Sequence, residues 1–144
     1  MKEPFALGAA GAARWVMHPP QDPHGDDYVH EAKIEIHEDG MTAVTTATVG
    51  AGFAGRTTTL ALFVEELAAD WQGWDGPRMW QSLDRELTIA ARHDRRRRVS
   101  LHVTLRAPGV SWDDSTWSAT AVFVLEAGEE TTRFAADLID WLAT

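Results

Sequence analysis

The sequence predicts an α+β fold: a single domain with a mostly antiparallel sheet of five or six strands and two helices packed on one face. Three observations carry this. Two stretches, 28–49 and 86–105, alternate apolar and polar residues about a central turn. Leu60, Phe63, Val64, Leu67 and Trp71 recur at helical spacing between them. A second helical pattern, with Phe134, Leu138 and Trp141 inward, closes the chain.

At 144 residues the chain has a one-domain length, enough for a core that needs no staple. Residues 1–13 are small and glycine-rich, cannot offset their own ordering entropy, and are expected to be poorly ordered ahead of a domain over 14–144. Their apolar run is short, glycine-interrupted and weakly hydrophobic, unlike a secretory signal. No apolar run approaches the roughly 20 residues of a membrane span. A cytoplasmic location is therefore the expectation, and no membrane partner.

Taken in order, Arg14–His18 reads as a short edge strand anchored by Trp15, and the following HPPQDPHGDD reads as a loop. Tyr28–Glu38 alternates, with Ala32, Ile34 and Ile36 on one face. Asp39-Gly40 then signals a two-residue hairpin of type I′, which needs positive φ at both centre positions. That turn pairs Ile36 with Ala43, Ile34 with Thr45, Ala32 with Ala47 and His30 with Val49, giving one apolar and one polar face. Gly50–Arg56 is glycine-rich but lacks the ending of a P-loop and the spacing of a dinucleotide fingerprint, so it reads as a loop.

Thr57, Thr58 and Thr59 offer N-cap hydroxyls to the first helix, whose outer face carries Glu65, Glu66 and Asp70. Gly73 suits the position after the helix, where left-handed backbone favours glycine. Trp74-Asp75-Gly76-Pro77 is turn chemistry. The second hairpin pairs Ala91 with Leu101, Ile89 with Val103 and Leu87 with Leu105, closed by Asp94 and the run Arg95–Arg98. A turn through Pro108-Gly109 and Asp113-Asp114 leads to a fifth strand with Trp117, Ala119, Ala121, Phe123 and Leu125 on one face. Gly128-Glu129-Glu130 opens the last helix, its early acids suiting the positive end of the dipole.

Composition narrows the function. Without cysteine there is no disulfide, thiolate metal site or cysteine nucleophile. A net charge of −9 disfavours nucleic acid, whose affinity comes from Lys and Arg displacing counterions. The charge suits a basic protein partner. No GxSxG, HExxH or other catalytic spacing is present, so an enzyme is not expected; an unrecognised hydrolase is the third reading. His18, Asp22, His24, Asp26, Asp27 and His30 could offer metal ligands, but prolines scatter them and no pair has helical i, i+4 spacing. Neither a metal nor a cofactor is expected.

The seven tryptophans divide by periodicity. Trp71, Trp117 and Trp141 fall on inward faces and are expected in the core, while Trp74, Trp80 and Trp112 have no such assignment. The candidate binding surface is Trp74, Asp75 and Trp80 with Arg95, Arg96, Arg97 and Arg98. Rigid aromatics bury area at low entropic cost, and guanidinium binds phosphate or carboxylate in bidentate fashion. The bland readings are turn packing for the tryptophans and a charged tip that guards exposed strands for the arginines.

Leu60, Phe63, Leu67, Asp70-Trp71, Gly73-Trp74, Gly76, Arg78, Trp80 and Ser82-Leu83 together resemble an actinobacterial family catalogued as a domain of unknown function. The likeness covers about Ile34 to Leu142, and its most specific part is the Trp-x-Gly-Trp-x-Gly turn. That family often carries a Gly-His pair ahead of the strand at Val99, where this chain has Arg97-Arg98; no family-wide role carries over to the tip. The layout is also loosely similar to WapI-type immunity proteins, which bind and neutralise a toxin domain without catalysis. That resemblance implies a cytosolic inhibitor of a basic toxin or other basic protein. The alternative is a small-molecule, phosphate or nucleic-acid binding module using Arg95–Arg98 and exposed tryptophans.

Overall fold

A computed structural model describes residues 2–8, 12–25, 29–51, 59–107 and 116–143. The elements run β1 (Phe5–Gly8), β2 (Arg14–Met17), β3 (Val29–Glu38), β4 (Met41–Ala51), α1 (Thr59–Ala69), β5 (Arg78–Gln81), β6 (Leu87–His93), β7 (Arg98–Arg106), β8 (Ser118–Glu126) and α2 (Glu129–Ala143). Every strand pair is antiparallel, and the domain is α+β.

The strands form two four-stranded sheets, β1-β2-β3-β4 and β5-β6-β7-β8, which corrects the expectation of one five- or six-stranded sheet. Alternation reveals which face of a strand is buried, but not which strands are neighbours across an intervening helix. Here α1 separates two independent meanders. They meet where β3 approaches β8 and β4 approaches β7, and their inner faces join both helices in one core.

Two short strands also escape periodicity. Phe5–Gly8, within the segment expected to be poorly ordered, pairs with β2, so β2 is second in its sheet rather than the edge. Phe5 holds this strand: it is buried and meets Trp15 edge-on at 5.5 Å. The Trp141 indole donates to the Glu3 carbonyl at 2.8 Å, tying the N-terminus to α2. The second missed strand, β5, occupies four residues beyond the Trp74–Pro77 turn and pairs Arg78 with Ala91 and Trp80 with Ile89.

The first hairpin pairs Ile36 with Ala43, Ile34 with Thr45 and Ala32 with Ala47, as the alternation requires. A register shift at His30/Glu31 then places His30 opposite Gly50 rather than Val49. Only Gly40 of the turn has positive φ, at 76°, so the expected type I′ geometry is not adopted. The second hairpin has every expected pair, Ala91 with Leu101, Ile89 with Val103 and Leu87 with Leu105. Ile89, Leu101 and Leu105 are fully buried. Each such side chain contributes about 1.5–3 kcal/mol by leaving water.

Leu60, Phe63, Val64 and Leu67 give α1 its buried stripe. Phe134, Ala135, Leu138 and Trp141 do the same for α2. The N-terminus of α2 is capped by carboxylates: Glu126 Oε1 accepts the Glu129 N–H at 2.7 Å, and Glu130 Oε1 accepts the Glu126 N–H at 3.0 Å. The first satisfies an N–H at the positive end of the helix, and the second ties the first turn back to the end of β8. The expected loop at Gly50–Arg56 lies outside the described residues from 52 onward, as do Thr57, Thr58, Trp112 and Asp113-Asp114; Gly50 and Ala51 extend β4.

Candidate functional site

The sheet of β5–β8 carries Trp74, Asp75 and Arg95–Arg98 at one end, where the turn after α1 meets the β6–β7 hairpin, while Trp80 lies apart from them, against Thr59 at the start of α1. The hairpin tip is built on Asp94. Its Oδ1 accepts the backbone N–H groups of Arg96 at 2.8 Å, Arg97 at 3.0 Å and Arg98 at 3.1 Å. The Arg98 and Arg96 N–H groups above all, with Arg97 adding to them, hold the Asp94 carboxyl below its ordinary range. Arg95 takes φ of 63°, so the reversal uses a non-glycine left-handed residue.

His93 joins this tip to the preceding turn. Its Nε2 bonds the Trp71 carbonyl at 2.7 Å and its Nδ1 accepts the Arg95 N–H at 2.7 Å. A carbonyl only accepts and an amide N–H only donates, so the partners select the neutral ring protonated on Nε2. The ring is buried and meets Trp74 edge-on at 5.2 Å. Beside it, Arg95 pairs with Asp75. Arg78 lies 4.9 Å from the Trp74 ring centre and bonds Asp70 Oδ2 at 2.7 Å.

This geometry reassigns the tryptophans. Trp74, taken as a surface candidate, is 6% exposed and donates to the Ala91 carbonyl at 3.3 Å. Trp80 is half-buried and donates to Thr59 Oγ1 at 2.8 Å, securing the start of α1. Trp71, taken as core, is 47% exposed. The reason is that α1 stops at Ala69, so the helical period cannot be extrapolated to residue 71. Trp117, also taken as inward, precedes β8 and is exposed; Trp141 alone of the three lies in the core. Asp75 and Arg95–Arg98 are at the surface as expected.

Exposed Trp71 divides two surface grooves. One, of about 400 Å³, is lined by Trp71, Gly128, Glu129, Thr132, Arg133 and Ala136. The other, of about 420 Å³, is lined by Trp71, Gln72, Arg96, Arg97, Glu126, Ala127 and Gly128. Neither is legible as a site in the sequence, because each joins the turn at Trp71 to the distant start of α2, and the second adds the hairpin tip.

Two further polar clusters lie elsewhere. On the outer face of the first sheet Glu35 is held between His18 and His37, the latter at 2.9 Å. The His18 hydrogen bond chiefly, with His37 adding, lowers the Glu35 carboxyl. At the start of β6, Glu86 is buried and accepts from Ser82 Oγ at 3.2 Å, while burial raises its carboxyl. Among the described residues no three His, Asp or Glu side chains are grouped to hold a metal ion, and no helix is long and apolar enough to cross a membrane. Of the loop histidines and aspartates, His18 turns to Glu35, Asp22 accepts the Gly25 N–H at 3.0 Å, and Asp26 and Asp27 lie outside the described residues.

Comparison with curated proteins and with solved structures finds no match. A family profile does match, over residues 12–144, and so includes the Trp71 turn, the arginine tip and both helices. The chain belongs to the family of unknown function DUF6228.

Proposed function

We propose that this chain is a non-enzymatic protein that binds a basic protein partner, in the manner of an immunity protein that neutralises a toxin. The observation that supports this reading is the charge of the helical face. The two helices pack side by side. They expose Glu65 and Glu66 on α1 and Glu129, Glu130, Asp137 and Asp140 on α2. Their only basic residue is Arg133, already paired with Glu129 at 2.6 Å. A face of one sign accelerates encounter with an oppositely charged surface and rejects like-charged ones. The loose likeness in layout to WapI-type immunity proteins points the same way.

The test is affinity capture from the native host with two baits, the wild type and a Glu65→Lys, Glu66→Lys, Asp137→Lys, Asp140→Lys variant. A basic protein retained by the wild type, released by salt and absent from the reversed bait is the expected result. Capture that is unchanged by charge reversal, or confined to acidic proteins, would overturn the reading.

A further inference from the structure

The surface opposite in character to the acidic helices is the groove between Trp71 and the arginine tip. We propose that this groove binds a nucleoside phosphate, the base stacking on the Trp71 ring and the phosphate held by Arg96 and Arg97. The assignment is tested separately from the protein-partner reading, whose charge reversal falls on Glu65, Glu66, Asp137 and Asp140, none of which lines this groove.

The cations are the first argument. Arg95 is paired with Asp75, but Arg96, Arg97 and Arg98 form no ion pair with any described residue. Carboxylates are at hand: Glu126 lines the groove and Glu130 lies beside Arg97 and Arg98. Both are instead turned to backbone N–H groups, Glu126 to that of Glu129 at the start of α2 and Glu130 to that of Glu126 at the end of β8. The guanidinium groups are left for an external anion, and phosphate, like carboxylate, presents oxygens that match their paired donors.

The second argument is rigidity. Asp94 fastens three consecutive backbone N–H groups of the tip, and His93 fastens Arg95 to the Trp71 carbonyl. The backbone that carries the ring and the cations is thereby held on one frame before any ligand arrives, which lowers the ordering cost of binding.

Shape and charge select the ligand class. Trp71, the exposed ring in this groove, offers a face on which any nucleobase can stack. Gln72 adds an amide that can both donate and accept along a base edge. A volume of about 420 Å³ falls in the range of small-ligand pockets. A polynucleotide fits poorly, because Glu129 and Glu130 line the adjoining grooves and the chain carries −9 overall.

Titrating AMP, adenosine, inorganic phosphate and a short single-stranded oligothymidylate, by calorimetry and by tryptophan fluorescence, tests this. AMP should bind saturably, quench fluorescence and exceed both adenosine and phosphate in affinity. Arg96→Ala/Arg97→Ala should weaken AMP about tenfold or more, the loss expected for charge-assisted hydrogen bonds. Trp71→Ala should weaken it comparably and abolish the quench, while Trp71→Phe retains most of the affinity. Arg106→Ala, at the far end of β7, should change nothing. Thermal melts show that each variant is folded. Absence of saturable AMP binding, equal affinity for phosphate and AMP, indifference to the double arginine variant, or tighter binding of the oligonucleotide would each overturn the assignment.

Discussion

The carbonyl oxygen of Trp71 lies 2.7 Å from His93 Nε2, and this bond locks the turn after α1 to the β6–β7 hairpin. The ring's other nitrogen receives the Arg95 N–H, so one buried imidazole serves two backbones. His93→Phe keeps the ring but strands the part-buried Trp71 carbonyl and the Arg95 N–H. The expected loss is about 1–3 kcal/mol in denaturant unfolding, the cost of leaving such groups unsatisfied. Hydrogen exchange at the Arg95 amide should accelerate with it. Unchanged exchange at Arg95 would contradict the role given to His93.

Much of the frame was legible in the sequence, and the candidate site was not. The Ile34/Ile36 and Ile89/Val103 hairpins follow from alternation, since a one-residue slip would turn every apolar side chain to water. The inward residues of α1 and α2 follow from helical period in the same way. What failed depended on where an element ends or on what lies across space. Helical period puts Trp71 in the core only when it is carried two residues past the end of α1 at Ala69. Trp74 has no assignment by period, because nothing local shows that Ala91 and His93 receive it. Phe5 alone in a glycine-rich tail gave no period to read, yet one aromatic contact with Trp15 is enough to dock β1.

Gly128 is constrained by the cap of α2. A Cβ at this position would come within 2.9 Å of Glu126 Oε1, the atom that accepts the Glu129 N–H. Gly128→Ala should push the carboxylate away and cost about 1 kcal/mol, the usual worth of an N-cap. Glu126→Ala should cost a similar amount. The double variant should cost little more than either alone, because both changes remove one interaction. Additive losses in urea melts would show that Gly128 acts otherwise.

Glu35 shapes the acid limb of stability. Its folded carboxyl titrates below the unfolded one, chiefly through the His18 hydrogen bond, so its contribution is present above the unfolded value of about 4.3. It is lost as pH falls through the lower folded value. Glu35→Gln should therefore flatten the decline in stability below about pH 4 relative to the wild type. An identical acid limb in the two proteins, followed by circular dichroism, would contradict the placement of Glu35 between His18 and His37.

Glu86 has the opposite sign. Burial raises its folded carboxyl above the unfolded value, so folding favours the protonated form. The stability this group permits is fully present below the unfolded value and is lost as pH rises through the folded one. At neutral pH the buried charge is a net cost, eased by the Ser82 hydroxyl at 3.2 Å. Glu86→Gln keeps an acceptor for Ser82 Oγ and removes the charge, leaving in place the Ser82 Oγ that accepts the Leu87 N–H at 3.0 Å. The variant should be more stable than the wild type at pH 7, and the gain should shrink toward zero as both are acidified below the unfolded value. Ser82→Ala takes away a side-chain donor to Glu86 and leaves the Leu87 N–H without its Ser82 acceptor, so it should destabilise the wild type more than it destabilises the Glu86→Gln protein. A Glu86→Gln variant that is less stable at pH 7 would mean that the ionised carboxylate is worth more to the fold than its burial costs.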